Sequence, residues 1–275
     1  MNRIESRFKA LKADGRAGLV TFITAGDPDR ATAQAILDGL PAAGADLIEL
    51  GLPFSDPMAD GPVIEAASHR ALKAGASLAA TLEMVRAFRA KDRTTPIILM
   101  GYYNPIYAHG VEKFAEEAAA AGVDGLIVVD LPPEEAEELA GPARKAGIDL
   151  IYLTAPTTDE SRLPLVLASA SGFVYYVSIA GITGAAAASL DAVAAAIARL
   201  RRHTALPLAV GFGIKTAAQV EAIGKLADAA VVGSAIVSRI AAGLDQQGRP
   251  KEGLTAEILG FVRDLAKGLK PAGKE

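Results

Sequence analysis

Eight short apolar runs, rich in β-branched residues, punctuate the chain at intervals of about thirty residues. They are Leu19–Thr24, Asp46–Gly51, Pro96–Gly101, Gly125–Asp130, Ile148–Thr154, Phe173–Ser178, Leu206–Gly211 and Ala229–Gly233. Nearly continuous hydrophobicity, without strict alternation, marks parallel strands covered on both faces. Helical spacing fills the intervals at Ala31–Ala43, Leu78–Ala90, Val111–Ala121, Glu134–Ala146 and Leu190–Arg202, with Gly44, Gly122 and Gly147 as helix stops. Strand and helix in alternation imply βαβ units. Eight such units predict an α/β fold, a single (β/α)8 TIM barrel over residues 1–268 with a polar tail at 269–275. Ile4–Lys12 reads as an extra N-terminal helix that caps the N-terminal mouth of the barrel.

Composition removes several kinds of chemistry. The chain holds no cysteine, so disulfides, thiolate nucleophiles, Fe–S clusters and Cys-based zinc sites are excluded. Lys and Arg total 28 against 32 Asp and Glu, a net charge of −4 that argues against nucleic acid as a partner. Gly, Pro and charges interrupt every apolar run short of the ~18 residues of a membrane span. The segment Met1–Phe8 is charged and lacks the apolar core of a signal peptide. A cytoplasmic protein with no membrane association is expected.

Two connections exceed the repeat, and the excess falls in Leu52–Ala76 and Ile179–Ser189, directly after the second and sixth runs. In a barrel these loops lie on the C-terminal face, where active sites are built, and long loops there are lids or binding surfaces. Glu49 stands near the end of the second run, on the same face as Leu47 and Gly51. If that face is the interior, burial raises its pKa and fits it to work as both acid and base near neutrality. No Lys or Arg lies within the eight runs to pair with it. Asp60, eleven positions on in the loop over the same mouth, supplies a second carboxylate in a different environment. Asp56 and, taken alone, Asp60 read as turn formers; Asp130 competes with Asp60, or initiates a helix at the following Pro132-Pro133-Glu134-Glu135.

Gly211-Phe212-Gly213 ends the seventh run, and Gly233-Ser234 follows the eighth and opens a short apolar helix. Paired glycine loops at these positions are where barrels cradle phosphate with backbone N–H groups. Thr183-Gly184 in the long sixth loop offers a hydroxyl and another amide. Only Lys215 lies near a strand end, too far beyond it for a Schiff base. His69, His109 and His203 lack ligand spacing, so no metal is expected, and no dinucleotide fingerprint follows the first run. What remains is proton-transfer or carbon–carbon chemistry on a phosphorylated substrate.

The stretch Leu47-Ile-Glu-Leu-Gly-Leu-Pro-Phe-Ser-Asp-Pro-Met-Ala-Asp-Gly-Pro62 resembles the signature of the tryptophan synthase alpha subunit family. So do Phe22-Ile-Thr-Ala-Gly-Asp-Pro28, Val129-Asp-Leu-Pro-Pro-Glu134, Ala180-Gly-Ile-Thr-Gly184, Val210-Gly-Phe-Gly-Ile214 and Val232-Gly-Ser-Ala235, collinear over nearly the whole chain. The resemblance implies aldol cleavage of indole-3-glycerol phosphate to indole and glyceraldehyde 3-phosphate, with no cofactor in this chain. It also implies an alpha2beta2 complex with a beta subunit that carries pyridoxal phosphate and receives the indole. By position, Glu49 matches the acid/base that protonates the indole ring and accepts the hydroxyl proton, and Asp60 the carboxylate that holds the indole N–H. Phe22, Met100, Tyr102, Ile127, Leu153 and Tyr175 match the indole pocket; Gly184, Gly213, Gly233 and Ser234 match the phosphate site. Ile179 departs from the family, many of whose members have a basic residue there. Two other readings stay open: a free-standing lyase without a beta partner, and a non-catalytic subunit that keeps the barrel. Glu49, Asp60 and the phosphate loops together count against the second.

Overall fold

The computed structural model describes residues 2–178, 189–211 and 213–269. Among them, nine parallel strands form one sheet: β1 (Gly18–Thr24), β2 (Leu47–Gly51), β3 (Ile97–Gly101), β4 (Gly125–Val128), β5 (Asp149–Leu150), β6 (Tyr152–Thr154), β7 (Val174–Val177), β8 (Leu208–Gly211) and β9 (Ala229–Val232). Their order is β5-β4-β3-β2-β1-β9-β8-β7-β6, so the sheet curls until its two end members are consecutive in the chain. The expected strand Ile148–Thr154 is thus one stave divided at Ile151, whose N–H donates to the Leu126 carbonyl at 2.9 Å. Its first part pairs with β4 and its second with β7, which brings the barrel round on itself.

Alternation sorts the strand residues into two packed layers. Val20, Leu47, Ile98, Ile127, Phe173, Ala209 and Val231 form the interior cluster. Residues of opposite parity, such as Leu19, Ile48, Leu50, Ile97 and Leu99, pack outward into the cluster shared with the helices. The N-terminal helix α1 (Arg3–Ala13) sits under the barrel as expected, and its Ile4, Phe8 and Leu11 join the interior cluster. Phe8 meets the Phe173 ring at 5.7 Å between centroids. Gly125 makes room for this plug: a Cβ there would lie 3.1 Å from Ile4 Cδ1. Each such buried side chain stabilises the fold by roughly 1.5–3 kcal/mol. An ion pair between Arg3 and Asp124 at 2.8 Å fastens the start of α1.

Several segments depart from expectation. The long connection Leu52–Ala76 contains a helix, Pro62–Lys73, with Pro62 at its first position. The third loop is also helical, at Tyr103–His109. The helix expected over Glu134–Ala146 begins as a 3-10 turn, Pro133–Glu135, and continues as Glu137–Lys145. β4 stops at Val128, short of Asp130, whose side chain turns to accept the Tyr103 N–H at 2.8 Å. Asp130 thus fastens the start of the helix Tyr103–His109, whereas the 3-10 turn that follows it has no side-chain cap. Near the C-terminus Leu269 is buried; the tail beyond it and residues 179–188 lie outside the described residues.

Candidate active site

Glu49 occupies the interior face of β2, flanked in register by Phe22 on β1 and Ile98 on β3. It is 1% exposed, and its Oε1 has no hydrogen-bond partner among the described residues. Burial alone pushes its pKa up to about 8. An isolated carboxylate in apolar surroundings is costly, so at neutral pH the group is mostly the neutral acid. The same carboxylate adds to the burial that holds the Tyr175 phenol well above its usual range.

Asp60 is delivered by a loop fastened at both ends. The Ser68 hydroxyl accepts from Phe54 N at 2.8 Å and donates to Phe54 O at 2.9 Å, which ties the start of the loop to the helix Pro62–Lys73. Arg70 of that helix grips the buried Asp27, after β1, through two hydrogen bonds of 2.8 and 2.9 Å. Within the loop, Asp60 N donates to Pro57 O at 2.9 Å, and Ala59 N donates to the Tyr102 hydroxyl at 3.0 Å. Burial lifts the Asp60 pKa to about 6, against the lowering hydrogen bond from Tyr102 and with a small push from Glu65. Two carboxyl groups with separated pKa values thus face one space.

That space is a cavity of about 210 Å³. Glu49, Asp60, Phe22, Met100 and Tyr175 line it, with Gly211, Gly213, Gly233 and Ser234 at its other side. Tyr102 lines a smaller adjoining cavity with Asp60. Ile127 is buried in the interior cluster, against which Met100, Leu153 and Tyr175 pack; Leu153 itself faces a separate cavity beside β4 and β6. Thr183, Gly184, Phe212 and Ile179 lie outside the described residues. Asp56 is exposed, while Pro53 and Pro57 are buried, so the apolar character of this loop reaches solvent mainly at Met58, 75% exposed.

Ile64, Val177, Ile214 and Val231 also line the cavity and were not read from the sequence. Period-two alternation carries the signal for two of them: Val177 lies two after Tyr175, and Val231 two before Gly233. The other two depend on how the loops fold. A larger groove of about 800 Å³ lies at the opposite mouth, beside α1. Its carboxylates are already engaged, Asp228 by Arg201 at 2.6 Å and Asp149 by Asn2 at 2.5 Å. The histidines are engaged too: His69 with Ser55 O at 3.1 Å, His109 with Glu117 at 2.8 Å and His203 with Glu160 at 2.6 Å.

The phosphate-type features lie on the β8 and β9 side. The helix Ser234–Ala242 starts at Gly233, whose carbonyl accepts from Ile236 N and Val237 N at 2.9 and 3.1 Å. The amides of Ser234 and Ala235 precede any intrahelical acceptor, and the helix dipole adds positive character there. Gly213 has φ +63°, a left-handed conformation that glycine adopts without strain.

A family model described as "Tryptophan synthase alpha chain" matches residues 8–267. A tryptophan synthase subunit alpha from Legionella pneumophila str. Paris is 39% identical, with TM-score 0.89 and 98% of each chain covered. A tryptophan synthase alpha chain from Legionella pneumophila subsp. pneumophila is 37% identical, with TM-score 0.89 and full coverage of both chains. A Mycobacterium tuberculosis tryptophan synthase is 32% identical, with TM-score 0.89 and coverage of 99% of this chain and 100% of that one. Likeness of sequence and of backbone over nearly the whole length makes this chain a member of the tryptophan synthase alpha chain family, lyases that cleave indole-3-glycerol phosphate.

Proposed function

We propose that this cavity carries out the family's reaction with Glu49 as the proton donor and acceptor and Asp60 as the group that holds the indole nitrogen. The reaction is the aldol cleavage of indole-3-glycerol phosphate to indole and glyceraldehyde 3-phosphate. Protonated Glu49 delivers its proton to indole C3, which places positive charge on the ring nitrogen. Asp60, as an anion, accepts a hydrogen bond from that N–H and offsets the charge. The Glu49 carboxylate then takes the proton of the carbinol hydroxyl. The bond between indole C3 and the carbinol carbon breaks, its electrons neutralise the ring, and the carbinol becomes the aldehyde. Glu49 ends the cycle protonated, as it began.

The observation that carries this reading is the buried Glu49 carboxyl, its Oε1 without a partner among the described residues and its pKa raised to about 8, in the same cavity as Asp60 near 6. At pH 7 roughly nine-tenths of Glu49 is then acid and roughly nine-tenths of Asp60 is anion, the pairing that the first step needs. Phe22, Met100 and Tyr175 serve as walls for the flat ring, with Ile127 and Leu153 supporting them from the barrel interior. Gly211, Gly213, Gly233 and Ser234 receive the phosphate, with Phe212, Thr183 and Gly184 completing that site.

The partner is a tryptophan synthase beta subunit, in an alpha2beta2 assembly in the cytoplasm, and pyridoxal phosphate belongs to that subunit. Met58 and Tyr107, 75% and 60% exposed on the connections after β2 and β3, support a docking surface on the catalytic face. Indole release by the purified chain, alone and across a beta-subunit titration, is the test. Release that rises to a plateau with the beta subunit is expected; release that ignores it indicates a free-standing lyase, and none in either condition defeats the reading.

A further inference from the structure

Among the described residues, two hydroxyls of β1 are buried without a hydrogen bond, those of Thr21 and Thr24. Thr24 ends the strand, shares the inward parity of Phe22, and is 3% exposed. It lines a second cavity of about 20 Å³, which adjoins the reaction cavity and shares Phe22, Asp60, Ile64 and Met100 with it. Ser68 and Tyr102 also border this space.

A volume of that size holds one water, which needs roughly 10–15 Å³, and a water so enclosed needs at least two polar partners. The Tyr102 hydroxyl is already engaged: it accepts the Ala59 N–H, and its hydrogen-bonding influence on Asp60 lowers that carboxyl's pKa against burial. An ionised carboxylate has about four acceptor sites, more than Tyr102 and one indole N–H fill. The Thr24 hydroxyl faces the opposite need, since a buried hydroxyl without a partner is destabilising. A single water answers both.

We propose that Thr24 is a positioning residue for Asp60: its hydroxyl holds one water in the small cavity, and that water donates to the Asp60 carboxylate. This rests on the role given to Asp60 above. The water accepts a hydrogen bond from the Thr24 hydroxyl on one side and donates one to the Asp60 oxygen turned away from the reaction cavity. Asp60 is thereby held ionised and aimed, although its loop supplies no cation to do so. No bond is made or broken at Thr24, and its effect reaches the substrate only through Asp60.

The test compares Thr24→Val, which keeps the shape and removes the hydroxyl, with Thr24→Ser, which keeps the hydroxyl. Indole release from indole-3-glycerol phosphate is measured at saturating beta subunit. Thr24→Val is expected to lower kcat about tenfold with KM changed less than about twofold, and Thr24→Ser to restore most of it. In an Asp60→Asn background Thr24→Val should change kcat by less than about twofold, because the residue acts through Asp60. A crystal structure of the wild-type chain should show a water within about 3.2 Å of both Thr24 Oγ1 and an Asp60 oxygen, and the Thr24→Val structure should lack it. Full kcat in Thr24→Val, or an equal loss in the Asp60→Asn background, overturns the proposal. If the wild-type chain releases no indole, the functional reading fails instead. The water then decides for Thr24 alone: its presence upholds the proposal and its absence ends it.

Discussion

The ring of Phe22 lies where a side chain at position 51 would begin: a Cβ on Gly51 would sit 2.7 Å from Phe22 Cζ and 3.0 Å from Cε2. Gly51 follows Glu49 on the same face of β2, so the missing side chain lets an aromatic wall close over the catalytic end of the strand. Gly51→Ala should tilt Phe22 into the cavity and raise KM for indole-3-glycerol phosphate about tenfold. Phe22→Leu in the same chain should recover much of that loss. Steady-state kinetics on the single and double variants check this; an unchanged KM in Gly51→Ala would mean that the ring is free to retreat.

Activity should be bell-shaped in pH. The productive free enzyme has Asp60 ionised and Glu49 protonated, so kcat/KM should rise through about 6 and fall through about 8. Glu49→Gln, which cannot exchange a proton, should lower kcat by roughly 10²–10⁴ while binding substrate about as before. Asp60→Asn should remove the acidic limb and keep the alkaline one. A full pH–rate profile for each variant separates the two assignments.

Stability should carry the same signature. Burial raises the Glu49 pKa in the folded chain above its unfolded value of 4.5, to about 8. Between those values the folded state binds more protons than the unfolded state, so stability falls as pH rises. Its contribution is fully present below about 4.5 and lost by about 8, with a slope of at most about 1.4 kcal/mol per pH unit. Glu49→Gln lacks this dependence. Denaturant unfolding at pH 5 and pH 8 should show the variant gaining on the wild type as pH rises; a constant difference would mean that Glu49 is solvated in solution.

Gly213→Val tests the anion site. Its φ of +63° is strained for any β-branched residue, and the added bulk obstructs the backbone approach to phosphate. Glyceraldehyde 3-phosphate and inorganic phosphate should bind at least tenfold more weakly, with indole affinity nearly unchanged. Calorimetric titration of each ligand distinguishes a local effect from general damage to the barrel.

Much of this was legible in the chain because the governing signals are local. Continuous apolar runs located the staves, and parity along Leu47-Ile48-Glu49 put the Glu49 carboxylate inside. The break at Ile151 was not legible, since it follows from the stagger between β4 and β7, which no single run encodes. The helix Pro62–Lys73 hid within a loop because its first turn, Pro62-Val63-Ile64-Glu65, starts from Gly61 with no side-chain cap to announce it. Ile64 went unread for the same reason. The assignment of Asp130 turned on a contact with Tyr103, 27 positions away in sequence. Its true partner was set by the neighbouring stave, and the prolines after it pointed elsewhere.

The plug formed by α1 closes the barrel interior on the side away from the reaction cavity. With Ile4 seated against Gly125 and Phe8 against Phe173, close-packed side chains fill the space beneath Glu49. Among the described residues the interior offers a small apolar product no path through the N-terminal mouth, so it would leave by the face that carries Asp60 and Met58. A partner docked on that face stands where such a product emerges, and so governs whether it is passed on or lost to the surrounding water.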